Sequence, residues 1–316
     1  MNLSRDAHTF LVLTFLLTWI LAGAGATLGI RADSGYSYMA LAAICMLMPA
    51  LAAILLRKRL GSDAWQHMGV RWRGMSGWIL VVTAVVGMSI VPLSIGVCHV
   101  LGDGLGIEAF GHASLATDRM LTNAEALLVE GGSSASPEAA LGVLRSVSGG
   151  TVLLVSLVGA LLMACSLSLP VMLGEELGWR GFLFHCLSHW STRARVLFTG
   201  IVWGLWHAPL ILMGHNYPDH RIAGVGLMVV FCVLLSYLFD RSRAWVGTIW
   251  GPCVLHGIIN GSAGVFVLFA AGGHPLVATP TGVAGFIAIA LLAGGIALLE
   301  RFAPRGSKDE RPMAQL

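Results

Sequence analysis

Charge is scarce in this sequence. Only 11% of its 316 residues are Asp, Glu, Lys or Arg, against about 25% in a soluble domain, so a solvated globular surface is excluded. The formal net charge is +3 and no basic stripe carries interleaved aromatics, which leaves no footprint for nucleic acid. The six cysteines (Cys45, Cys98, Cys165, Cys186, Cys232 and Cys253) lie in or beside apolar runs without C-x-x-C spacing. They read as small packing residues, with no disulfide framework and no thiolate metal site. G-x-S-x-G and an intramembrane Asp pair are also missing, so activated-serine and aspartic mechanisms have no residues to run on. No inverted repeat of the kind found in many transporters stands out.

Apolar residues are what the chain has instead, 56% of the total. Uncharged runs at about 9–28, 38–56, 78–101, 151–171, 196–213, 222–239, 245–268 and 281–299 each approach the ~20 residues a helix needs to cross the hydrocarbon core. The expectation is an all-α polytopic membrane protein with about eight spans. Basic residues test it, because they accumulate in cytoplasmic loops. With eight spans one side holds Arg5; Arg57, Lys58, Arg59, Arg71 and Arg73; Arg193 and Arg195; Arg241 and Arg243; and Arg301, Arg305, Lys308 and Arg311. The other holds Arg31, Arg119, Arg145 and Arg221, which predicts both termini in the cytoplasm, with the cell (inner) membrane as the location. The first run could also be read as a signal peptide, but twenty apolar residues is long for one, and it is taken as a helix.

Three regions follow: an N-terminal region 1–150 of three spans and an acidic outer loop, a helical core 151–302, and a polar tail 303–316 expected to be disordered. The loop, about 102–149, has the composition of a flexible linker at Gly131-Gly132-Ser133-Ser134-Ala135-Ser136-Pro137. Gly pairs four apart, Gly25/Gly29 and Gly200/Gly204, predict close helix packing in lipid. From Thr151 to Trp190 the apolar stretch is too long for one crossing, so the helix either projects from the membrane or bends near Pro170.

Against this background a few polar residues matter, because an ionisable group within a span is costly unless paired or facing water. Glu176 and Arg180, four apart, can pair on one helix face. Glu175, about 100° round, is left to act as a proton acceptor. His207 and His256 are each the twelfth residue of runs entering from the same side, so both imidazoles lie about 16 Å in. Asn260 shares a face with His256, and Trp203, one turn before His207, can wall its ring. Pro209 and Pro252 each remove a backbone donor and predict kinks near the two histidines. His185 and His189 are read as interfacial packing, and His67, His112, His215, His220 and His274 as loop residues without a role. A Glu, two His and an Asn can deprotonate water and donate hydrogen bonds to an oxyanion, the needs of peptide hydrolysis.

Glu175-Glu176-Leu177-Gly178-Trp179-Arg180, Trp203-Gly204-Leu205-Trp206-His207 and His256-Gly257-Ile258-Ile259-Asn260 together resemble the CPBP family of CAAX-protease and bacteriocin-processing intramembrane proteases. Its motifs are E-E-x-x-x-R, F-x-x-x-H and H-x-x-x-N; Trp203 stands where the second has Phe, an aromatic swap expected to preserve packing. The resemblance implies an eight-span fold around an intramembrane catalytic cavity, with Glu175 activating water and Glu176 and Arg180 in support. It implies His207 as a partner of Glu175 or a metal ligand, and His256 and Asn260 as the oxyanion site or His256 as a further ligand. A divalent metal such as zinc on Glu175, His207 and His256 and a metal-free glutamate mechanism are both open. The expected partners are the lipid bilayer and a hydrophobic or membrane-anchored peptide, and nucleic acid is not among them. The competing readings are a transporter, which would use the buried Glu and His as a proton relay, and a non-catalytic binding or immunity scaffold.

Overall fold

The computed structural model describes residues 2–130 and 137–302. Most of the expected linker, 131–136, and the tail, 303–316, lie outside the described residues. The helices are α1 (Arg5–Thr27), α2 (Tyr36–Leu56), α3 (Ala64–His67), α4 (Gly77–Cys98), α5 (Thr117–Glu130), α6 (Pro137–Arg145), α7 (Gly149–Ala164), α8 (Leu169–Glu176), α9 (Phe184–Cys186), α10 (Thr192–Trp206), α11 (Ala208–Leu212), α12 (Arg221–Val246), α13 (Trp250–Ser262) and α14 (Val283–Phe302). The β-structure among the described residues is one two-residue ladder, His112–Ala113 against Ala270–Ala271. The acidic loop thus contains two helices, and Met120 and Ala124 of α5 are buried.

Ends follow the local chemistry. Ser4 Oγ accepts the Ala7 amide at the start of α1, with Asp6 in the first turn. Gly247, at φ 79°, ends α12 in the left-handed region that glycine enters without penalty.

Among the described residues, six helices are long and apolar enough to cross a membrane: Arg5–Thr27, Tyr36–Leu60, Gly77–Gly104, Arg221–Val246, Trp250–Leu268 and Val283–Phe302. The chain is a polytopic membrane protein. The other two of the eight predicted runs are broken. Gly149–Ala164 and Leu169–Cys186 meet at 67°, with Pro170 in the first turn of α8, where its missing N–H costs nothing. The run at 196–213 divides at His207 into α10 and the five-residue α11. Pro209 has no N–H to continue the ladder, and the His207 amide tightens to Gly204 O at 3.2 Å. The kink expected at Pro252 does not form, because α13 begins only at Trp250 and the proline falls in its first turn.

Small residues set the packing. A Cβ on Gly200 or Gly204 would run into the backbone of Val233 or Val229, so α10 lies directly on α12, as that Gly pair predicts. Gly25 likewise abuts Leu41 of α2, whereas Gly29 lies past the end of α1 in open space. Gly174 and Gly178 seat the Glu-bearing segment on Leu47 and Pro49 of α2, and Gly257 and Gly261 seat α13 on Ala164 and Ala160 of α7. Trp250–Leu268 is the most enclosed of the six spans, 61% buried over its apolar window against 22–39% for the rest. It forms the axis on which the other site helices converge.

Candidate active site

The segment Leu177–Leu183, directly after the two glutamates, is π-helical. Such a wide turn realigns the side chains that follow it and is found often at functional sites. Here it brings Arg180 under Glu176 and leaves Glu175, Glu176 and Arg180 no more than 2% exposed. Arg180 Nη1 donates to Glu176 Oε1 at 3.3 Å, and Nη2 to Ser236 Oγ of α12 at 3.4 Å. Its guanidinium lies against the rings of both Trp203, 4.1 Å away, and Phe239, 4.2 Å away. Arg243 Nε donates to the Arg180 carbonyl at 3.0 Å and fastens the π-turn to α12.

His256 Nδ1 lies 2.7 Å from Glu176 Oε1. One oxygen of Glu176 therefore serves both partners, while Oε2 is sealed off without any among the described residues. The pairing of Glu176 with Arg180 read from their spacing is present, and His256 joins it. Glu175 turns the other way: its Oε2 accepts from Trp203 Nε1 at 2.9 Å, and the residue lines a cavity of about 290 Å³.

His207 occupies the break between α10 and α11, and its Nδ1 is 2.8 Å from the Trp203 carbonyl. A carbonyl only accepts, so Nδ1 carries the hydrogen and, in the neutral ring, the Nε2 lone pair is free. The rings of His207 and His256 stand 5.6 and 5.8 Å from that of Trp203, so both histidines meet around one indole. Asn260, one turn after His256, makes a long contact, 3.8 Å, from Nδ2 to Met172 Sδ. Glu175, Trp203, His207, His256 and Asn260 all line the same cavity; Glu176 and Arg180 stand behind it.

The walls are apolar, including Met46 of α2, Ile90 and Val91 of α4, and Met228, Phe231 and Leu235 of α12. The far end is polar, with His215, Asn216 and Thr281. Burial pushes the His215 imidazole below its ordinary value. Ser236, Phe239 and Cys232 of α12 and this polar end are contributions that carry no motif in the sequence. His185 packs on His67 with ring centroids 4.6 Å apart.

The donors do not gather around a common metal position. Among the described residues no three His, Cys, Asp or Glu side chains are grouped to hold an ion. Trp203 holds one oxygen of Glu175, and Glu176 holds Nδ1 of His256.

Fold and site define a polytopic membrane protein with a carboxylate, two imidazoles and an amide converging on one cavity. Residues 152–262 match the family model "Type II CAAX prenyl endopeptidase Rce1-like". Over 45 residues the sequence is 53% identical to the CAAX prenyl protease 2 of Methanococcus maripaludis, a stretch covering 14% of this chain and 16% of that protein.

Proposed function

We propose that the protein is an intramembrane endopeptidase that hydrolyses a peptide bond in a hydrophobic or membrane-anchored substrate, with Glu175 activating the attacking water. The observation that carries it is Glu175, buried among apolar helices, sharing one cavity with His207, His256 and Asn260. Water held between Glu175 Oε1 and His207 Nε2 gives its proton to the carboxylate as its oxygen attacks the carbonyl carbon. The C–N bond then breaks and the proton passes to the leaving nitrogen. His256, anchored at Nδ1 by Glu176 and donating from Nε2 as an imidazolium, and the Asn260 amide donate to the oxyanion that develops. Glu176 and Arg180 hold His256 and the π-turn in place and take no part in proton transfer.

The name of the archaeal relative and the apolar walls together favour a substrate whose scissile bond lies beside a lipid-modified or hydrophobic segment. The asymmetry of Lys and Arg supports an orientation in the cell membrane with both termini cytoplasmic, in which the broken stretch Thr192–Leu212 counts as a crossing. Membranes carrying Glu175→Gln or His207→Ala should cleave such a substrate at least ~100-fold more slowly. Undiminished cleavage with either change would rule out the assignment.

A further inference from the structure

Trp203 occupies the centre of the site rather than its wall. Its N–H donates to Glu175 Oε2 at 2.9 Å; its face carries the Arg180 guanidinium at 4.1 Å; and its ring stands 5.4 Å from Phe239 in an edge contact. Phenylalanine, which the resembling motif has here, would supply an aromatic face but a smaller ring and no donor. The terminal torsion of a glutamate is broad and roughly two-fold, so packing alone leaves its carboxylate plane poorly fixed. A hydrogen bond from a 3% exposed indole is shielded from competing water and fixes it. The indole cannot easily turn away, because the Arg180 guanidinium lies 4.1 Å from its ring and the Phe239 ring packs against it edge-on.

We propose that Trp203 is a positioning residue whose indole N–H holds Oε2 of Glu175 so that Oε1 is the oxygen presented to the reacting water. Consistent with this, Oε1 has no protein partner among the described residues and is not among the atoms sealed from the cavity. The proposal rests on the hydrolase reading for its consequence, but the bond itself can be tested without any activity.

Two replacements separate the donor from the ring. Trp203→Phe removes the N–H and shrinks the side chain. Incorporating 3-benzothienylalanine at position 203, where sulfur replaces the indole N–H, removes the donor at nearly constant shape. Both should lower kcat by about 10- to 100-fold, the loss expected for one charge-assisted hydrogen bond, with KM within about two-fold because the apolar walls are unchanged. In the full-length protein, the ultraviolet resonance Raman difference between wild type and Trp203→Phe should give an indole band of a strongly hydrogen-bonded N–H, lost from the corresponding difference in a Glu175→Ala background. Wild-type kcat in the benzothienylalanine protein, or a free-indole band in the folded wild type, would overturn the proposal. Should Trp203→Phe fail to fold, the benzothienylalanine protein and the Glu175→Ala spectra decide. A hydrogen-bonded band in a protein that cleaves nothing would count against the hydrolase reading and leave the Trp203–Glu175 contact standing.

Discussion

His256 Nδ1 and Arg180 Nη1 converge on the same oxygen of Glu176, at 2.7 and 3.3 Å. This shared acceptor divides the labour of the two adjacent glutamates. Glu176 is locked between a histidine and an arginine in a fully buried position, whereas Glu175 has one indole donor and an open cavity.

The two carboxylates should therefore fail differently. Removing one partner from a buried ion pair leaves a desolvated charge uncompensated and costs about 3–5 kcal/mol. Glu176→Gln should lower the melting temperature of the detergent-solubilised protein by several degrees together with its activity. Glu175→Gln keeps an acceptor for Trp203, so it should abolish cleavage while the melting temperature stays within a degree or two. Thermal unfolding of the two variants side by side checks this; equal destabilisation would contradict it.

Helix contact predicts a second contrast. A methyl on Gly204 would collide with the Val229 backbone, and rigid backbone cannot yield as a flexible side chain can. Overpacking of this kind costs about 1–3 kcal/mol, and here it would also displace Trp203 and His207 on the same helix. Gly204→Ala should reduce both stability and cleavage, while Gly226→Ala, with nothing within 4 Å of its Cβ position, should change neither.

The Glu176 and Arg180 pairing was legible because helical spacing alone puts the two on one face, where they meet at 3.3 Å. Gly200 and Gly204 were legible for the same reason, since close helix packing in lipid selects small residues four apart. What periodicity does not encode is which helices become neighbours. Ser236, Phe239 and Arg243 of α12 read as unremarkable positions until α12 is laid against the π-turn, and Arg195 and Asp240 are 45 residues apart. The Trp203 swap looked like conserved packing because its N–H has meaning only once Glu175 is beside it. Pro252 misled the expected kink because its effect depends on whether it falls inside a helix or in the first turn.

Arg195 and Asp240 illustrate what was hidden: although they fall in what the charge pattern reads as cytoplasmic loops, they form a buried two-point pair at 2.6 and 3.0 Å, extended by Arg241 to Glu300 of α14. Asp240→Ala strands Arg195, and a loss of roughly 3–5 kcal/mol is expected. Replacing both members together, Arg195→Met with Asp240→Leu, should recover much of it, since similar-sized apolar pairs often replace buried ion pairs without loss. Denaturation of the single and double variants measures the difference.

Chelation bears on the donor geometry. Because no triad of His, Cys, Asp or Glu donors is assembled among the described residues, dialysis against a strong chelator should leave the cleavage rate within about two-fold. A loss restored by added zinc would show that the site rearranges to take a metal.

Everything chemical here depends on Glu175 delivering a water molecule to a peptide carbonyl. The most direct measurement is single-turnover cleavage of a membrane-anchored peptide in ¹⁸O-labelled water, by wild type and Glu175→Gln protein reconstituted in the same vesicles. Glu175 as base requires one ¹⁸O in the new carboxylate and a rate at least ~100-fold lower for the variant. Equal rates with normal folding would refute it.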